Sequence, residues 1–464
     1  MLKHVIEKEL KDCIYSYRSL LLFALSAILF SMSIYLEGRQ YQTELQDYRV
    51  AQTRLRESLG EATTLYALSS TPFNFVKRPP VLGILVRGVE SYTPHVYMLR
   101  LYTLPAPQGS GVSENPTVAV FGAMDASFIV QVVLGLAALL FTFSAVCGEK
   151  EMGTLKLQLG NALAKDTLLL GKLVGNLVGL LVPVLLAFLF GCLTLMTLDG
   201  VSLGEADLVR ILLIGLDFVL YLTVLFSLGL CVSTLTNRAT TAFAVCLVMW
   251  VLLIAVVPKA AVIAANGISP VGSLSEYEAK KSDIDRRGSI EFDELMQRYN
   301  SEHPGQTISQ AQFDDLLKLV REDQNRQLRV LEEDYLLRKE SQARKAILLA
   351  RLSPAGSASY AAMSLAGTGP ELDYRFRTAL REYRSAFTVY YDKENSEEIA
   401  RHGNPAAGTM SVKKVFSDLP PFEFHEEPLA QSVDRALPDM GLLALWSALF
   451  FITAYFSFLR YDVR

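Results

Sequence analysis

Glu149-Lys150-Glu151-Met152-Gly153-Thr154-Leu155 follows without a break on residues 126–148, ASFIVQVVLGLAALLFTFSAVCG, a stretch with no formal charge. An α-helix needs about 20 mostly apolar residues to cross the hydrocarbon core of a bilayer. Residues 126–148 meet that length, which sets the charged segment at a membrane surface. Gly171-Lys172 then stands at the mouth of another apolar run. The segment between the two runs is short, charged and punctuated by glycine, and a soluble partner could push on it.

The same length criterion selects six runs in the chain of 464 residues: 19–36, 126–148, 173–198, 211–235, 239–258 and 440–459. Asp217 is the one formally charged residue inside any of them. A hydrophobic content of 51% is high for a soluble protein, and 20% charged residues is high for a purely membrane one. Segregation reconciles the two, because the charges gather in insertions 37–125 and 259–439. The expected fold is mainly α: a polytopic membrane protein with six transmembrane helices, an N-terminal interfacial helix at 1–18 and a mainly helical ectodomain.

Lys and Arg near span ends mark the cytoplasmic side, and short loops carry that signal. With the N-terminus inside, the inner segments hold Lys3, Lys8, Lys11, Arg18, Lys150, Lys156, Lys165, Lys172, Arg238, Arg460 and Arg464, whereas the short outer loop 199–208 holds none. Both termini, the loop 149–172 and the tail 460–464 are thus expected in the cytoplasm, and both insertions outside. The first span has no small-residue cleavage site after it and reads as a retained anchor. All five cysteines fall in spans or inner segments, so the outer regions have no disulfide framework. A net charge of −4 gives no reason to expect a nucleic-acid partner.

The first insertion continues span 1 as a charged helix from Arg39 to about Leu68. Thr71-Pro72, Lys77-Arg78-Pro79-Pro80 and further prolines follow, which predicts a small irregular lobe of loops and short elements. In the second insertion, Thr307-x-x-Gln310 has capping-box form, and no Gly or Pro interrupts 308–353. Phe313, Leu317, Val320, Leu328, Leu331 and Tyr335 recur at helical spacing. Such a helix reaches roughly 65 Å and needs a mate, for which 274–299 is the nearest candidate, broken near Gly288 and joined by a turn at 302–305. A further helix is expected from Glu371 to about Tyr391, with Phe376, Leu380, Tyr383 and Phe387 on one face.

Phe121-Gly122-Ala123-Met124-Asp125, the run Glu149-Lys150-Glu151-x-Gly153-Thr154-Leu155, and Leu168-Leu169-Leu170-Gly171-Lys172 together resemble the ABC-2 type permeases, in the bacterial branch with a large outer insertion before the last span. Trp250 with Pro258, Leu352-Ser353-Pro354, Ala366-Gly367-Thr368 and the terminal Arg460-Tyr461-Asp462-Val463-Arg464 are similar to that branch too, so the likeness runs nearly end to end. Its order and spacing carry the weight, since each motif alone is short.

The resemblance implies that Glu149, Glu151, Gly153, Thr154 and Leu155 dock in a groove of a separate ABC ATPase subunit, with Gly171 and Lys172 closing the loop and residues 1–17 forming an elbow helix. Ala164-Lys165 departs from the Pro-Arg pattern of many relatives. It also implies a second permease copy or homologue, and ATP and Mg bound by the partner subunit, with no cofactor in this chain. On the residues themselves, a phosphate-cradling loop needs G-x-x-x-x-G-K-[ST], and Gly171-Lys172 is followed by Leu173. No catalytic role is expected for this chain.

Asp217, at hydrocarbon depth, costs at least ~2.5 kcal/mol on insertion scales and should face the bundle or dimer interior; a structural bond and a substrate-path role both stay open. Gly171, Gly175 and Gly179 allow close helix approach, and Pro183 can kink its span. His425-Glu426-Glu427 lacks metal-site spacing and reads as an exposed acidic loop, while His95, His303 and His402 are isolated. The leading expectation is a permease of the bacterial inner membrane that couples a partner's ATP hydrolysis to export. The alternative is a mechanotransmission protein whose ectodomain drives an envelope partner without passing a solute. The substrate is not written in the spans, which beyond partner chains meet only membrane lipid.

Overall fold

The computed structural model describes residues 2–101, 103–108, 124–155, 165–304, 308, 310–402, 416 and 418–460. Phe121, Gly122 and Ala123, Lys156, Ala164, Gly305, the capping residue Thr307 and residues 461–464 lie outside them, as does the side chain of Lys165.

Helix α1 (Leu2–Ile14) precedes α2 (Tyr17–Glu61), which Ser16 caps by accepting from the Ser19 amide at 3.3 Å. At 1.5 Å per residue α2 reaches about 68 Å, so its apolar half crosses the hydrocarbon and its charged half continues beyond it. After α3 (Leu65–Ser70) come the strands β1 (Phe73–Val76), β2 (Val96–Arg100) and β3 (Thr103–Gln108). They form one antiparallel sheet in the order β1-β2-β3, with Phe73 opposite Leu99 and Phe75 opposite Tyr97. Pro105 and Pro107 sit on β3, an edge strand, where a missing ladder donor is tolerated. The short strands expected in the irregular lobe pair into this one sheet.

The next spans are α4 (Ala126–Glu151), α5 (Lys165–Met196), α6 (Glu205–Leu235) and α7 (Ala239–Ile268). The antiparallel pair α8 (Leu274–Glu302) and α9 (Gln310–Ala350) follows, then α10 (Pro354–Ala366), α11 (Pro370–His402) and the last span α12 (Leu429–Leu459). Six helices, α2, α4, α5, α6, α7 and α12, are long and apolar enough to cross a membrane among the described residues. Helix α7 continues through Pro258 because the π-turns at Leu252–Val256 widen it where the proline ring would meet the preceding turn.

Helix α6 is the buried centre of the bundle, with α4, α10 and α12 against it. It runs parallel to α12: Arg210 donates to the Glu427 carbonyl at 2.5 Å and the Ser227 and Ser447 hydroxyls meet at 3.3 Å. Glycine sets the closest crossings, since a Cβ on Gly229 would lie 2.0 Å from Thr142 Oγ1. Phe30, Phe188 and Phe218 link α2, α5 and α6 through successive edge-on contacts at 5.8 Å.

Helices α8 and α9 pair as the periodicity predicts, with Tyr277 stacked on Tyr335 at 4.6 Å and Phe292 edge-on to Phe313 at 5.3 Å. Gly288 does not break α8. It lies against Gln324, whose amide leaves no room for a Cβ. Phe376, Leu380, Tyr383 and Phe387 of α11 are all buried, and they pack on Phe73, Phe75, Tyr97 and Leu99 of the sheet. One lobe is therefore built from both insertions.

Polar groups lock that lobe to the spans. Arg87 is buried; its guanidinium meets Glu37 at 3.0 Å, Glu44 and the Ser91 hydroxyl, while its amide donates to Asp125, which also caps α4. On the sheet, the Tyr97 hydroxyl donates to Asp373 at 2.5 Å, with Lys77 at 3.8 Å from the same carboxylate. His95 Nδ1 lies 3.2 Å from Glu90. Burial works against both charges, but their hydrogen bond and mutual attraction outweigh it, so His95 is raised above its ordinary 6.5 and Glu90 lowered below 4.5.

A raised histidine stabilises the fold fully below 6.5, and that contribution fades as pH climbs through its folded value. The lowered Glu90 contributes above 4.5 and loses it as pH falls through its folded value. The pair should be at full strength between those limits. The unfolding temperature is expected to fall from mildly acidic to mildly alkaline pH, and His95→Gln should flatten that dependence; an unaltered slope in His95→Gln would remove the pair from the account.

Candidate functional site

The charged segment after span 2 begins where α4 breaks. Turns at 143–146 interrupt the helix, and Ser233 of α6 fills the gap: its hydroxyl accepts from the amides of Val146 and Cys147, both at 3.0 Å. Three successive residues then reach three different places. Glu149 accepts from Lys172 Nζ at 2.7 Å, and the same ammonium meets Glu9 of α1 at 3.1 Å. Lys150 Nζ donates to the carbonyls of Thr234 at 2.5 Å and Thr236 at 3.1 Å, at the C-terminal end of α6. Glu151 accepts from the Ala239 amide at 3.0 Å, the first residue of α7.

The signs suit the helix ends they meet. A cation belongs at the partial negative charge of a helix C-terminus and a carboxylate at an N-terminus with unpaired amides. Arg238, the residue at the cap position of α7, makes no side-chain capping bond, and Glu151 supplies one instead. Gly153 takes φ 73° in open space, which turns the chain. Leu155 is buried among Val146, Leu168, Leu169, Leu230 and Phe458, so apolar packing anchors the far end. Thr154 Oγ1 lies 3.5 Å from the Glu149 carbonyl, and Met152 projects, 72% exposed.

The first helix completes the arrangement. Gly175 of α5 faces Glu9 Cβ and the Ile6 carbonyl so closely that an added Cβ would be 2.7 Å from the former, and Asn176 Nδ2 donates to Glu9 at 3.0 Å. The glycines at 171, 175 and 179 thus begin a packing face, with α1 as the partner for Gly175, and Gly171 and Lys172 are buried. The tethers from Lys150 and Ser233 had no sequence signal, because each joins residues more than 80 positions apart. The i, i+4 spacing of glycine was the readable trace of α1.

A second set of polar residues lies inside the bundle. Asp217 is fully buried, and neither of its carboxylate oxygens has a hydrogen-bond partner among the described residues. Asp439, on the parallel α12, is 1% exposed and is held by Arg351 in a two-pronged contact at 2.6 and 2.9 Å. The widened turns of the spans expose carbonyls that hydroxyls take up: Tyr221 donates to Gln131 O at 3.1 Å within Ile129–Leu134, and Ser353 donates to Leu253 O within Leu252–Val256. Gln131 Nε2 also bonds Ser359 of α10 at 2.8 Å.

Helix α10 escaped the length criterion. Its small residues let it bury between α6 and α12 although it is too short to span. The motifs Leu352-Ser353-Pro354 and Ala366-Gly367-Thr368 are its two ends: Ser353 caps it and Gly367 leaves it at φ 70°. His425 is exposed, whereas Glu426 faces Arg78 at 3.9 Å and Glu427 faces Arg435 at 2.5 Å.

A comparison with curated proteins returns no match. The family model of the ABC-2 family transporter proteins matches residues 4–463. Members of that family are membrane components that work with an ABC ATPase. With six apolar helices, α6 buried among them, and a match that covers nearly all of its length, the chain belongs to the ABC-2 family transporter proteins and is a permease subunit of an ABC transporter.

Proposed function

We propose that this permease exports its substrate across a bacterial cytoplasmic membrane, with both termini in the cytosol and a second copy or homologue completing the pathway. Glu149, Glu151, Gly153, Thr154 and Leu155 form the element that receives the movement of the ATPase subunit, and Gly171 and Lys172 close it. ATP and Mg bind on that partner. The observation that carries the reading is the run of Glu149, Lys150 and Glu151, tied in turn to α5 and α1, to the end of α6 and to the start of α7. A push on the projecting Met152–Gly153 tip reaches four helices at once, without a separate relay.

The test is a charge swap. Glu149→Lys with Glu151→Lys should abolish stimulation of the partner ATPase. Glu149→Lys with Lys172→Glu, made together with Glu9→Gln so that the new carboxylate does not face Glu9, rebuilds the internal pair with its sign reversed, and should recover most of the activity that Glu149→Lys with Glu9→Gln loses. Normal stimulation in the double charge reversal would end the coupling reading. Failure of the swap, with assembly intact, would move Glu149 from an internal tether to a direct contact.

A second reading has its own observation: α2 and α7 continue from their apolar spans into the insertions, a route by which motion of the bundle would reach them. Such a protein would act on an envelope partner and move no solute. ATP hydrolysis by the reconstituted complex without transfer of any lipid or solute, but with a change in lobe position, would favour it.

A further inference from the structure

The N-terminal turn of α6, the α10–α11 junction and residues 424–427 enclose a cavity of about 80 Å³. Four arginines and four carboxylates reach its wall, but their pairing is uneven. Asp207 is taken by the Gly204 amide at 3.0 Å, Glu426 faces Arg78, and Glu427 and Glu371 both face Arg435. Among the described residues, Arg210 and Arg375 hydrogen-bond to backbone carbonyls only: Glu427 O at 2.5 Å and His425 O at 3.0 Å. Arg210 is 6% exposed, and its Nε has no hydrogen-bond partner among the described residues. A buried guanidinium without a counter-charge is costly and calls for an anion.

The remaining wall is apolar, with Val81, Leu82, Met363 and Phe424, the last of these lying under Arg375 at 5.8 Å. Arg210 directly precedes Ile211, where the apolar run of α6 begins, so the cavity sits at the depth of lipid headgroups. Its volume admits several waters, which suits one tetrahedral oxyanion. We propose that Arg210 and Arg375 bind a phosphate group here, supplied by a membrane phospholipid whose acyl chains leave along the apolar wall. Guanidinium forks match phosphate oxygens two at a time. This site stands apart from the ATPase-coupling reading, because binding requires neither nucleotide nor partner.

The experiment uses the full chain, purified and delipidated, with native mass spectrometry after addition of phosphatidylglycerol or phosphatidylcholine, and with radiolabelled orthophosphate in parallel. Phosphatidylglycerol should bind the wild type, and Arg210→Gln should weaken it by about tenfold, the scale of one charge-assisted contact. Arg375→Gln, at a half-exposed position, should weaken it several-fold while leaving the unfolding temperature unchanged, so it decides the matter if Arg210→Gln fails to fold. Arg286→Gln, on the exposed face of α8, should change nothing. Orthophosphate binding with the same sensitivity to Arg375→Gln would support the phosphate site and assign it a soluble source. Equal lipid binding by wild type and Arg375→Gln, with no orthophosphate bound, would overturn the proposal.

Discussion

Arg351→Met should destabilise the protein by about 2–3 kcal/mol, because Asp439 is left buried and unpaired while the 27% exposure of Arg351 softens the larger loss of a fully buried pair. The two-pronged contact to Asp439 holds both carboxylate oxygens, at 2.6 and 2.9 Å, and Asp439 is 1% exposed. Asp217 stands on the neighbouring parallel helix, fully buried and with no bond of its own. Without the guanidinium, two carboxylates would share an apolar interior with no counter-charge. Arg351→Lys should recover part of the loss, since an ammonium restores the charge without the fork. Adding Asp439→Asn to Arg351→Met should recover more, because the stranded charge is then gone. Unfolding temperature in detergent reads all three. If Arg351→Met melts with the wild type, the pair does not hold the α9–α10 turn to α12.

How much of this could be read beforehand depended on whether a signal was local. Spans were legible because bilayer thickness imposes a length, and no soluble helix needs residues 173–198 without a charge. The α8–α9 pair was legible from its stripe, and the buried face of α11 from four aromatic and aliphatic residues at helical spacing. Gly288 misled because close helix approach and helix breaking use the same residue. The sheet was harder: Phe73 and Phe75 alternate with polar neighbours as a strand should, but β1 is four residues long and the prolines around it dominated the pattern. At the candidate site, Glu149 and Glu151 were visible as charges and Gly153 as a turn. Their tethers were not, because a carboxylate says nothing of which helix end it meets. Helix α10 was hidden for the opposite reason: its alanines and serines look like an ordinary segment, and only packing between α6 and α12 shows why small residues are required.

Gly356→Ala tests the turn that delivers α10 to its place between α6 and α12. Alanine is the better helix former by about 1 kcal/mol, so an uncrowded α10 would gain from the change. The added Cβ would instead lie 2.2 Å from the Ala350 carbonyl oxygen and 2.7 Å from its carbon. Both are backbone atoms in the turn between α9 and α10, where Ser353 N donates to Ala350 O at 2.9 Å and the Ser353 hydroxyl accepts from Ala355 N at 3.1 Å. No side chain can rotate away, and α10 cannot retreat because α6 and α12 flank it. Overpacking of this kind costs about 1–3 kcal/mol where side chains can adjust, and this site should reach or pass the upper figure. Gly441→Ala is the matched control, in α12 with nothing within 4 Å of the new methyl, and should be neutral or slightly stabilising. The expected result is a large drop in unfolding temperature for Gly356→Ala beside an unchanged or raised one for Gly441→Ala. Equal behaviour of the two would mean that the α9–α10 turn does not press on Gly356, and that close approach would no longer fix where α10 starts.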